Sequence, residues 1–74
     1  MTTYPMIEVF KTNVQEVFGA QKIIAILLEH FPGHQINFDL HDCDKILRLE
    51  GEYIPASKVI RVVKEHGYTC SLLD

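Results

Sequence analysis

The stretch from Val17 to Pro32, VFGAQKIIAILLEHFP, constrains this chain most, because it alone is long and apolar enough to be the central piece of a core. At helical spacing Val17, Ala20, Ile24, Leu27, Leu28 and Phe31 share one face, which predicts a helix over Val17–Phe31 with a complete core stripe. Gly19 weakens the first turn by about 1 kcal/mol relative to alanine, and Pro32-Gly33 ends the helix. Lys22 and Glu29 fall on the outer side, but so do Ile26 and Phe18. Phe18 and Ile23 are expected to tuck into the rim of the core, whereas Ile26 has no such excuse.

Around that helix the chain alternates. Met6–Val14 is rich in β-formers and follows Pro5, which holds Tyr4 extended, so it reads as a strand. With Glu8 pointing to solvent, Ile7 and Val9 face the core and Met6 and Phe10 the opposite side. Asn13 is placed to cap the helix or turn the chain, with Glu16 near the positive helix end. Gln35–Leu40 alternates with Ile36, Phe38 and Leu40 inward, and Lys45–Glu52 returns with Leu47 and Leu49 inward. The polar His41-Asp42-Cys43-Asp44 between them makes a hairpin turn.

Pro55 then opens a second helix, weakly capped because Ile54 offers no side-chain acceptor, with Ala56, Val59, Ile60 and Val63 as its buried stripe. Gly67 terminates it, and Tyr68–Leu72 is the last strand, with Tyr68, Cys70 and Leu72 on one face. The order is βαββαβ in one domain, residues 1–74. It predicts an α+β, ferredoxin-like sandwich: a four-stranded antiparallel sheet with both helices on one face. The open face would carry Phe10, Ile46 and Leu73 beside Glu8, Arg48 and Asp39, with Glu8 and Arg48 able to pair across strands.

HFPG at His30–Gly33, INFDL through RLEG over Ile36–Gly51, and Pro55–Tyr68 ending in KEHGY follow one another along the chain, and in that order they resemble the heavy-metal-associated domain of copper chaperones and of the N-terminal modules of copper-transporting ATPases. That family binds Cu(I) or Zn(II) through a Met-Thr-Cys-x-x-Cys run entering the first helix, where thiolates are soft ligands of lowered pKa. Counted back from Pro32-Gly33, the two cysteines would fall at Val17 and Ala20. Neither can ligate, so the resemblance is to a divergent member without the motif. It also implies that Asn13, Gln15 and Glu16, then His41 to Asp44, then His66 gather at one end of the domain.

A metal reading of that end uses His41, Cys43 and His66, since a thiol and two imidazoles suit Zn(II). Against it, His-Asp-Cys-Asp lacks C-x-x-C or H-x-x-x-H spacing and fits a solvated turn with Asx hydrogen bonds, while His66 suits the last helical turn. Nucleophilic catalysis by Cys43 needs a base and an oxyanion pocket that a hairpin tip does not supply. Cys70 reads as a small buried hydrophobe, and both cysteines as free thiols.

A formal charge of −3, with only 7 Lys and Arg spread along the chain, excludes a nucleic-acid footprint. No apolar run approaches the roughly 18 residues of a membrane span, and Met1–Pro5 lacks the features of a secretory signal. The chain therefore reads as a cytoplasmic, non-enzymatic binding or assembly module without cofactor, acting on a protein partner or a second copy. Its apolar surface candidates are Phe10, Ile26, Ile46 and Leu73.

Overall fold

The computed structural model describes residues 6–73; the strand start expected at Tyr4-Pro5 lies outside them. The elements run β1 (Met6–Thr12), α1 (Val17–His30), β2 (Gln35–Asp39), β3 (Ile46–Gly51), α2 (Ala56–Glu65) and β4 (Cys70–Leu72). The strands form one four-stranded sheet ordered β2-β3-β1-β4, every neighbouring pair antiparallel. The molecule is α+β, with β2 and β4 at the sheet edges. No helix among the described residues is long and apolar enough to cross a membrane.

Register assigns the two sheet faces. Phe10 lies opposite Leu47, which lies opposite Phe38, and Leu49 lies opposite Ile36. Phe10, Leu47 and Leu49 are fully buried, and with Ile36 they join Ile23 and Leu27 of α1 and Val59, Val62 and Val63 of α2 in one continuous core. Phe10 is thus at the centre of the core and not on the open face. The expected assignment of β1 is reversed: Ile7, 49% exposed, and Val9 take the open side. The reason is that Glu8 sits toward the strand's end, where its side chain reaches solvent from the inner face, so its polarity does not report the face of its neighbours. Glu8 faces Leu49 across the ladder and does not meet Arg48, which lies 3.9 Å from Glu50 of its own strand.

Helix α1 buries Gly19, Ala20, Ile23 and Leu27, with Phe31 following at its end. The stripe is rotated from the expected one. Val17 and Leu28 are exposed, Phe18 is 77% exposed instead of tucked into the rim, and Ile26 packs half-buried against the core instead of facing outward. Asn13 does not cap the helix, whose N-cap is Glu16 without a side-chain bond. On α2 the buried stripe includes Val62 as well as Val59 and Val63.

Two glycines are fixed by close approach. A Cβ on Gly19 would stand 2.5 Å from the Tyr68 hydroxyl, and one on Gly51 would overlap the His34 ring. His34 Nε2 donates to the Tyr53 carbonyl at 2.7 Å, and the ring stacks obliquely on Phe31 at 5.6 Å. The Lys58 ammonium covers the same Phe31 at 5.4 Å, so this end of the domain is closed by one small cluster.

Candidate functional site

Because β1 ends in mid-sheet between β3 and β4, the loops after β1, before β3 and before β4 meet at one end. Thr12 holds them: its N–H donates to the Asp44 carbonyl at 3.0 Å and its hydroxyl to the Lys45 carbonyl at 2.7 Å. On the other side Asn13 Oδ1 accepts from the Thr69 N–H at 2.8 Å. A polar hollow of about 250 Å³ lies there, lined by Asn13, Gln15, Glu16 and Tyr68.

Of the metal candidates, Cys43 is exposed at the hairpin tip with its sulfur near carboxylate oxygens of Asp42 and Asp44, all within 4.8 Å of one another. Neither His41 nor His66 belongs to that group. His66 donates its Nδ1–H to the Val62 carbonyl at 2.8 Å, one turn back on α2. The carboxylates serve the turn itself: Asp42 Oδ1 accepts from the Asp44 N–H at 2.8 Å and Asp39 Oδ1 from the His41 N–H at 3.1 Å. Lys45, at a positive φ of 47°, closes it, donating its N–H to the Asp42 carbonyl and its ammonium to that of Leu40. Val17 and Ala20, on the first turn of α1, carry no donor atom and could hold no metal there.

The other thiol is closed off. Cys70 is buried, and burial pushes it from 9.0 up to about 11 against the smaller opposing influence of Lys64, so it stays protonated near neutral pH. It is no nucleophile there.

A different site emerges beside the edge strand. Between α1 and β2 runs a mostly apolar groove of about 350 Å³, lined by Val17, Ala20, Gln21 and Ile24 from the helix and by Phe38 to His41 from the strand end. Val17, 65% exposed, lines it from the first turn of α1; Phe18, next on that turn, does not.

The chain matches no protein-family model, no curated protein and no solved structure.

The groove belongs to a second stripe on α1. Val17, Gln21, Ile24 and Leu28 are spaced by four, three and four, one flank beside the core stripe of Ala20, Ile23 and Leu27. Reading one stripe from the sequence merged the two; the signal that separates them is that Ile23 and Ile24 cannot share one narrow face. The open sheet face holds Ile46 and Leu73 as expected, here with Ile7 and Val9, but Lys11, Arg48 and Glu50 interrupt it.

Proposed function

We propose that this chain is a non-enzymatic protein-association module on a ferredoxin-like scaffold, docking through its α1–β2 side. The observation that carries the reading is Val17, 65% exposed where it lines an apolar groove, with Phe18 next to it on α1 77% exposed, where a solitary surface would carry polar groups. The scaffold reading is supported by the element order and by the strand order β2-β3-β1-β4 with all pairs antiparallel. The non-enzymatic part is supported by chemistry: among the described residues no carboxylate, imidazole or amine side chain is buried, and burial moves the Cys70 thiol away from neutral pH, not toward it. On the heavy-metal-associated resemblance, the two thiolate positions are Val17 and Ala20, and both line the groove. An apolar docking surface then stands where such relatives hold their ion.

The metal reading rests on Asp42, Cys43 and Asp44 alone, three donors from one exposed turn. Sedimentation velocity across a concentration series, with native mass spectrometry of the reduced protein in zinc, separates the two. The expected result is association that Val17→Lys abolishes and Cys43→Ser leaves unchanged. Stoichiometric zinc lost in Cys43→Ser, with no association at any concentration, would overturn the reading.

A further inference from the structure

The association reading leaves the partner open, and the geometry of β2 narrows it. β2 is a sheet edge, and among the described residues no hydrogen bond beyond its ladder with β3 engages its backbone. Natural edges are blunted by lysine, proline, a bulge or brevity. The other edge, β4, is short at 3 residues, whereas Gln35–Asp39 runs 5 residues with no lysine or proline. Beside it lies the apolar flank of Val17, Ile24 and Leu28.

We propose that the occupant of this edge is a second copy of the chain, paired antiparallel β2 to β2 about a two-fold axis through Asn37. That register alone uses every residue of the strand. It sets Ile36 against the copy's Phe38, Asn37 against Asn37, and Gln35 against Asp39. Ile36 and Phe38 both point to the helix-bearing side, so the two cores join across the seam. The strand's one charge, Asp39, meets an amide and never its own copy. The two-fold also turns the α1 flanks toward each other, which covers Val17 and Leu28, both exposed in one copy. Strand pairing and stripe burial act together, since an edge without apolar cover pairs weakly.

The inference rests on the association reading, and introducing charges of opposite sign at Gln35 tests it separately. Gln35→Lys faces Asp39 of the copy twice and should tighten the dimer, about five-fold by sedimentation; Gln35→Asp should loosen it by a similar factor. Leu28→Lys should leave the chain monomeric, and at high concentration alternate β2 amides of the unaltered chain should gain exchange protection. Monomer behaviour at every concentration without new protection would overturn the self-pairing. So would equal shifts from the two Gln35 variants. Association broken by Ile46→Lys or Leu73→Lys, and untouched by Leu28→Lys, would move the contact to the open sheet face: the β2 pairing would then be wrong while association itself stood.

Discussion

Gly51→Ala ought to be harmless by local rules. Gly51 lies in β3 at a φ that any residue adopts, and alanine there should gain roughly 0.5–1 kcal/mol from the lost backbone freedom of glycine. The structure reverses the sign, because the new methyl would stand 2.5 Å from Nε2 and 2.7 Å from Cγ of His34. A ring in that position has to leave, and leaving breaks its 2.7 Å bond to the Tyr53 carbonyl and its 5.6 Å contact with Phe31. Those are worth about 0.5–1.5 kcal/mol each. The net loss is about 0.5–2 kcal/mol, a fall in Tm of several degrees for a domain this size. In a His34→Ala background the obstacle is gone and the same substitution should stabilise by about 0.5–1 kcal/mol. Urea denaturation of the four proteins followed by circular dichroism gives the coupling, expected at about 1–3 kcal/mol. Equal effects of Gly51→Ala in both backgrounds would refute the argument that His34 is what requires glycine.

Gly19→Ala should behave likewise: destabilising beside Tyr68, but gaining up to about 1 kcal/mol of helix propensity once Tyr68→Phe removes the hydroxyl 2.5 Å away. Phe10→Ala should cost about 3–5 kcal/mol, enough to unfold much of a marginal domain, whereas Ile7→Ala on the open face should cost far less; the reverse order in thermal melts would restore the other assignment of β1 faces. Iodoacetamide should alkylate exposed Cys43 in the native state and reach Cys70 only through unfolding, as peptide mass mapping would report. Since folding raises the Cys70 thiol from 9.0 to about 11, its contribution to stability is complete below pH 9 and lost as pH rises toward 11; Cys70→Val should remove that part of the alkaline slope.

Sequence alone determined the elements and their order. Alternation in Gln35–Asp39 and Ile46–Gly51 is clean because each strand buries one face only, and Pro32, Gly33 and Gly67 mark ends through their own backbone limits, the two glycines at φ of 86° and 91°. The candidate site was less legible. β1 reads MIEVF, apolar on both sides, so only its register with Leu47 could say that Phe10 is core and Ile7 is surface. On α1 apolar residues on more than one side of the helix offer several stripes, and which one is buried depends on where the sheet lies beneath it. Tertiary structure decided that Val17 and Leu28 face out beside an unprotected edge, because burial belongs to pairs of surfaces and no single segment encodes its own partner.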